Sequence, residues 1–246
     1  MNKSLSIFMP VFNEGKIIDH TISELQNAIK DITEDYEILL INDGSTDDSR
    51  EKILALARED SRIRLIEHKQ NSGYGAALRT GFLNAVGSII FYTDADMPVD
   101  FREIKKALPY MRDYDLAIGY RIDRHDKFRR YIYSKIYNFL LRVMLGVRVK
   151  DANFSFKFIR KEALERITLK AKTVFIDGEL LAGAFRRNFK IKEIPLVYFP
   201  RTSGSSNFNT FKSAFSTLKE LIFYWIDLKI AGRQFNNGKI ASRALF

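Results

Sequence analysis

The 246 residues are 46% hydrophobic and 13% aromatic, enough apolar surface to bury a sizeable core, which excludes a disordered chain and fits one α/β domain or a domain with an appendage. No cysteine is present, so disulfides, thiolate nucleophiles and thiolate metal sites are excluded, in keeping with a reducing compartment. The formal charge of +10 is uneven: residues 1–120 carry 14 Lys/Arg against 20 Asp/Glu, residues 121–201 carry 20 against 8, and the remainder 6 against 2. A basic second half reads either as a surface for an anionic partner or as a solvated face that keeps the chain soluble.

Apolar runs rich in β-branched residues alternate with helical patterns through the first 120 residues, the mark of stacked βαβ units and a mainly parallel sheet flanked by helices. The first run, Leu5–Met9, is cut short by Pro10 and charged residues, which gives a strand and not a secretory signal. Further strands are predicted at Tyr36–Asn42, Arg62–His68, Ser88–Thr93 and Asp115–Gly119. Helices are predicted between them at Gly15–Lys30, Thr46–Arg58, Tyr74–Ala85 and Phe101–Met111. Beyond Gly119 the pattern becomes a helix at Lys127–Leu145, a strand at Asn153–Phe158, a helix at Asp177–Asn188, a strand at Ile191–Tyr198 and an amphipathic helix at Thr210–Lys229. Charges at Lys212, Lys219, Glu220, Asp227 and Lys229 interrupt the last of these, so no transmembrane segment is expected.

In open parallel sheets the ligand site lies beyond the carboxyl ends of the strands. Three such ends are polar or acidic: Pro10-Val11-Phe12-Asn13-Glu14, Asn42-Asp43-Gly44-Ser45-Thr46-Asp47 and Asp94-Ala95-Asp96. Each alone has a structural explanation, as a turn, a helix cap or a group that satisfies loop amides. Together they place several carboxylates on one edge, where they repel one another unless a cation sits among them. Asp94 and Asp96 are two apart, so both side chains reach one side of an extended segment and suit a hard cation, Mg²⁺ or Mn²⁺, shared with a substrate diphosphate. Without neighbouring histidine or cysteine, zinc is a poor candidate. His20, His68 and His125 are far apart and form neither a zinc-ligand spacing nor a recognisable triad. Asn71-Ser72-Gly73-Tyr74-Gly75 is not a dinucleotide fingerprint, since Leu78 replaces the third glycine and the motif follows the third strand. Either its glycines let backbone approach a ligand at a helix start, or they serve ordinary turn chemistry.

The order PVFNE, NDGSTD, NSGYGAALRTG and DAD resembles the family 2 glycosyltransferases of GT-A (Rossmann-like) fold, in particular the dolichol-phosphate mannosyltransferase group that acts on polyprenyl phosphates. The likeness runs from Leu5 to Ser206. It implies a catalytic domain over 1–208, with a nucleotide-sugar half at 1–120 and an acceptor half at 121–208, followed by a C-terminal amphipathic helix and tail at 209–246. It also implies that Pro10, Val11, Asn13, Glu14, Asp43, Gly73 and Ala95 contribute to binding the nucleotide-sugar, and that Asp94 and Asp96 hold diphosphate and metal. In the second half the resemblance assigns Arg121, Arg130, Ser134 and Arg201 to the acceptor phosphate, with the three arginines also counted as catalytic. Arginine suits the task because its planar fork binds phosphate bidentately and stays charged, although pairing with surface carboxylates is the plain alternative. Two departures stand out: Met97-Pro98 where the family often supplies a further metal ligand, and Asn207 where a lysine is usual.

The implied reaction is inverting transfer from a GDP-mannose or UDP-glucose type of donor to a polyprenyl or dolichyl phosphate. An acceptor phosphate is already anionic and needs no general base. A saccharide hydroxyl would need one, with Asp151, Asp177 and Glu179 available. The segment Tyr131–Arg142 and the last helix combine apolar bulk with basic residues, as an interfacial helix does, or bury their stripes against the domain. The expected location is the cytoplasmic face of a membrane, on the lipid surface or on a membrane-embedded partner subunit. A sugar nucleotidyltransferase would carry a glycine-rich, basic loop after the first strand, where this chain has Asn13-Glu14. A nucleic-acid partner is not expected, since no recognisable module accompanies the charge.

Overall fold

The computed structural model describes residues 4–96, 99–122, 128–199 and 210–236, without the side chains of 128–130, 210–211 and 231–236. Seven strands form one sheet: β1 (Leu5–Val11), β2 (Tyr36–Asn42), β3 (Ile63–Glu67), β4 (Ile89–Thr93), β5 (Leu116–Arg121), β6 (Phe156–Arg160) and β7 (Ile191–Leu196), in the order β3-β2-β1-β4-β6-β5-β7. The helices are α1 (Ile18–Ile29), α2 (Ser49–Glu59), α3 (Tyr74–Asn84), α4 (Glu103–Ala107), α5 (Phe128–Leu145), α6 (Lys161–Leu164), α7 (Phe175–Arg186) and α8 (Thr210–Asn236). Strands β1 to β4 pair in parallel, and so do β5 and β7, while β6 runs antiparallel to both of its neighbours. The mainly parallel sheet is therefore a finding, with one inverted central strand that periodicity does not reveal.

Strand alternation sorts the side chains onto two cores. On one face Ile7, Met9, Ile38, Leu40, Phe91, Phe156 and Phe158 pack with Ile18, Ile22 and Leu25 of α1 and Ile104 of α4. On the other, Phe8, Leu39, Ile41, Tyr92 and Ile159 pack under α3 and α7. Phe91 stacks on Phe158 with ring centroids 4.3 Å apart, and Phe8 stacks on Tyr92 at 5.5 Å. The sheet is thus covered on both sides, as parallel sheets require.

Three boundaries differ from expectation for identifiable reasons. The helix expected over Phe101–Met111 splits into α4 and a 3-10 turn over Leu108–Arg112, because Pro109 has no amide to donate. Strand β6 starts at Phe156 and not at Asn153, because the Phe156 amide bonds the Phe154 carbonyl in a tight turn centred on Ser155. Helix α1 starts at Ile18 and not at Gly15, because the Gly15 amide donates to the Asp47 carboxylate.

Phe91 is fully buried in the aromatic stack. Phe91→Ala is expected to cost about 3–5 kcal/mol of unfolding free energy. Leu83→Ala, at 84% exposure, is expected to stay within about 0.5 kcal/mol. Urea denaturation of the two variants checks the contrast.

Candidate active site

The carboxyl ends of β1, β2 and β4 lie on one edge because those strands are parallel neighbours. The loops after β1 and β2 interlock through side chains. The Asn13 amide donates to Ser45 Oγ at 3.0 Å, and Asn13 Oδ1 accepts from the Thr46 amide at 2.8 Å. Asn13 adopts φ +58, a left-handed conformation that asparagine tolerates better than most residues. The Glu14 amide donates to Ser49 Oγ at 2.9 Å. Asp47 accepts from Gly15, and from both the amide and the hydroxyl of Ser49. Burial pushes the Asp47 carboxyl up, but these hydrogen bonds outweigh it and hold the group below the ordinary carboxylate range.

Asp43 is buried, and both its oxygens face the protein. Oδ1 accepts from the Ser72 amide at 2.8 Å, Oδ2 accepts from the Gly73 amide at 2.9 Å, and His68 Nδ1 lies 2.6 Å from Oδ1. His68 Nε2 lies 2.8 Å from Thr80 Oγ1. Asp43, His68 and Thr80 therefore form a linear chain that their sequence separation hides. In this arrangement Asp43 clamps the loop before α3, and any contact with a base or ribose is additional to that.

The glycines of that loop are explained by the protein's own backbone. Gly73 has φ +94, and a Cβ there would lie 3.0 Å from the Lys172 carbonyl oxygen. A Cβ on Gly75 would lie 2.6 Å from the Lys172 carbonyl carbon and 2.7 Å from the Thr173 oxygen. The close approach read from the sequence is real, but it is to residues 171–173 of the chain. That strap is itself held by two carboxylates: Glu179 of α7 accepts from the amides of Lys170 and Ala171, and Glu220 of α8 from those of Lys172 and Thr173.

Asp94 follows β4 directly. Its Oδ2 accepts from Ser155 Oγ at 2.6 Å, and its Oδ1 from the Tyr74 hydroxyl at 3.3 Å. Burial, and then the charge of Asp94, pushes the Tyr74 hydroxyl well up, so it stays a neutral donor. Ala95 is buried, and its carbonyl accepts from Thr21 Oγ1 of α1 at 2.8 Å. Asp96 is half-buried and lines a cavity of about 600 Å³ with His20, Glu24, Arg102 and Phe199. Val11 is buried in β1 and Pro10 is half-buried beside it.

The second half is more engaged than expected. Arg121 grips Asp151 bidentately, Nε to Oδ2 at 2.7 Å and an Nη to Oδ1 at 3.1 Å, and stacks against Phe154 and Tyr198. Asp151 is therefore not an exposed base. Asp177 is fully buried and paired with Lys157 at 2.8 Å, and Glu179 is occupied by the two strap amides. Ser134 lies on α5, half-buried. Arg130 lies in the first turn of α5, with its side chain outside the described set, and Arg201 lies outside the described residues, as do Met97, Pro98 and Asn207. Lys157 is the residue that sequence reading passed over; a lysine between Phe156 and Phe158 was the available signal.

A doubly covered α/β sheet with an acidic edge defines the class. The same fold is seen in glucosyl-3-phosphoglycerate synthase from Mycobacterium tuberculosis in complex with uridine-diphosphate, with TM-score 0.70 over 91% of this chain and 80% of that one at 16% identity. It is the GT-A fold. Residues 6–168 match the model of glycosyl transferase family 2, and the chain belongs to that family. Glycosyltransferase AglD of Haloferax volcanii is 28% identical over 93% of this chain, and an undecaprenyl-phosphate 4-deoxy-4-formamido-L-arabinose transferase of Pectobacterium carotovorum is 29% identical over 85%. A putative glycosyltransferase, CsbB of Bacillus subtilis, is 31% identical over 66%. The chain spans 38%, 64% and 50% of the lengths of these three relatives, respectively.

Two outcomes test this site. Gly75→Ala forces backbone against backbone and is expected to lower stability by about 1–3 kcal/mol in thermal unfolding. Burial raises the Glu179 carboxyl against the pull of the Ala171 and Lys170 amides. The folded state then holds that proton more tightly than the unfolded chain, so stability falls as pH rises from about 4.3 through the raised folded value. Glu179→Gln is expected to flatten this part of the curve, and an unchanged slope in urea titrations across that window contradicts the assignment.

Proposed function

We propose that the chain transfers a sugar from a nucleoside-diphosphate sugar to a polyprenyl phosphate at a membrane surface, with inversion at the anomeric carbon. The observation that carries this reading is the state of the three base candidates. Asp151 is held by Arg121, Asp177 by Lys157 and Glu179 by two amides, and all three are buried. A hydroxyl acceptor needs a base with an open carboxylate, whereas an acceptor phosphate arrives as the nucleophile. The names of two relatives agree with a glycosyl transfer of this kind, one of them to undecaprenyl phosphate. In support of a nucleotide-sugar donor, the M. tuberculosis synthase has been crystallised with uridine-diphosphate-glucose and Mn²⁺.

The donor set fits a hard divalent cation. Asp94 is oriented by the hydroxyls of Ser155 and Tyr74, and Asp96 follows on the same edge, two carboxylates of the hard oxygen type such a cation takes. Among the described residues no three His, Cys, Asp or Glu gather into one ligand group, so water and donor phosphate oxygens would complete the shell. When bound, Mg²⁺ or Mn²⁺ would offset charge on the departing diphosphate. The protein's own part is to fix Asp94 with Ser155 and Tyr74, to order the loops after β1 and β2, and to bring cationic side chains to the phosphates. The acidic half then serves the donor and the basic half the acceptor.

Among the described residues no helix is long and apolar enough to cross a membrane. Helix α5 buries Leu141 against the domain yet exposes Ile136, Phe139 and Val143. Helix α8 buries Leu221 and exposes Phe215, Phe223 and Ile230. With Lys135, Arg142, Lys219 and Lys229 on the same two helices, this combination suits an anionic leaflet.

The test is incubation with radiolabelled UDP- and GDP-sugars, Mn²⁺ or Mg²⁺, and a polyprenyl phosphate in anionic vesicles. An acid-labile lipid-linked sugar is expected, and Asp94→Ala and Asp96→Ala are each expected to lower kcat/KM by roughly 100-fold or more, about 2.7 kcal/mol of transition-state stabilisation. Full turnover in either variant, or a product found only on a saccharide, sinks the proposal.

A further inference from the structure

The fully buried Lys157–Asp177 pair has no place in the chemistry above, and stability does not explain it. Both side chains are 0% exposed. Burying two charges costs several kcal/mol, and apolar residues of similar volume are often as stable or more so. The position of the pair is more telling. In the β4–β6 ladder Tyr92 stands opposite Lys157, and the ladder ends at Thr93 opposite Phe156. Just beyond that end, toward the site, Asp94 and Ser155 meet through their side chains, so the two contacts form a lower and an upper rung.

The lower rung is closed by α7, since Asp177 Oδ1 accepts from Lys157 Nζ at 2.8 Å and from the Tyr92 hydroxyl. The upper rung is closed by α3, through the Tyr74 hydroxyl on Asp94. Lys157 joins the two, because its Nζ also donates to the Phe154 carbonyl at 2.6 Å. That carbonyl accepts the Phe156 amide as well, at 2.9 Å, which closes the turn whose central residue is Ser155. The ammonium therefore fixes the turn that aims the Ser155 hydroxyl at Asp94 Oδ2. A lysine suits the task because one ammonium donates in several directions at once, whereas a methionine filling the same volume donates in none.

From this geometry we infer that Lys157 and Asp177 are positioning residues that act through the Phe154–Phe156 turn to hold the Asp94 carboxylate in its binding orientation. The inference rests on the reading of Asp94 as a group that meets cation and diphosphate. It assigns the buried pair to ligand binding and not to stability.

The decisive variant is the double exchange Lys157→Met with Asp177→Leu, which removes both charges together and so avoids an unpaired buried ion. It is expected to fold with a thermal midpoint at or near that of the unaltered protein. Its affinity for Mn²⁺ with UDP or GDP, read by calorimetry and by the Mn²⁺ paramagnetic resonance signal, is expected to fall about tenfold or more. Ser155→Ala is expected to show the same loss, and Ser155→Thr to recover to within about twofold, since it keeps the hydroxyl. A crystal structure of the double variant is expected to show Ser155 turned away from Asp94. A folded double variant in which Ser155 and Asp94 superimpose on the present structure overturns the inference, whatever the unaltered protein binds. Failure of the unaltered protein to bind UDP or GDP with Mn²⁺ counts instead against the glycosyl-transfer reading, and the geometry of Asp94 in the double variant still decides this one.

Discussion

Carboxylates at the ends of adjacent parallel strands repel one another, and most of the local architecture on this edge works against that repulsion. Asp43 is engaged from within by two loop amides and the His68 ring. Asp47 is taken up by Gly15 and Ser49. Asp94 meets hydroxyls from two different elements, Ser155 before β6 and Tyr74 of α3, which fix the direction of its two oxygens. Asp43 is instead turned wholly to the loop before α3, which it builds.

The inverted strand β6 makes that distinction structural. A parallel strand at this position would have pointed its carboxyl end toward the same edge as β4 and added another crossover loop there. Running the opposite way, β6 brings its amino end to the edge, and with it the Ser155 turn. The same strand separates β4 from β5, so the carboxyl end of β5, with Arg121 as its last residue, stands two strands away from β4, which Asp94 follows. Arg121 is correspondingly built into the Asp151 ion pair and its aromatic surround, an arrangement that orders the Asp151–Phe154 segment leading into β6.

Much of the architecture is legible in the sequence because it depends on periodicity. Tyr36–Asn42 reads directly as a buried strand from YEILLIN, and the helix expected over Tyr74–Ala85 is found at Tyr74–Asn84. What periodicity cannot carry is direction, so the antiparallel course of β6 was not legible. Nor was the meaning of the glycines after β3: the sequence leaves close approach and ordinary turn chemistry both open, and only the structure shows a partner at Lys172, almost a hundred residues on. The acidic edge was visible for a similar reason, as its carboxylates sit where strands end. Sorting the carboxylates by function required knowing their donors, and for Asp43, Asp94, Asp151 and Asp177 those donors come from distant parts of the chain.

The strap at residues 170–173 links α7 and α8 to the loop and helix beside the acidic edge. Its four amides are taken in pairs by Glu179 and Glu220, so α7 and α8 grip it from one side. On the other side the Gly75 amide donates to the Lys172 carbonyl, and Arg79 of α3 donates to that of Lys170. Helix α3 in turn presents Tyr74 to Asp94, while the loop before it holds Asp43. Helix α8, which carries the exposed Phe215, Phe223 and Ile230, is therefore connected through Glu220 and one short strap to the helix and loop that hold Asp94 and Asp43. The buried Ala171 amide is the one whose release would strand a polar group, whereas the Lys172 amide lies at the exposed surface, so the grip of Glu179 is the firmer of the two. Surface helix and acidic edge are thus joined by a continuous path of hydrogen bonds.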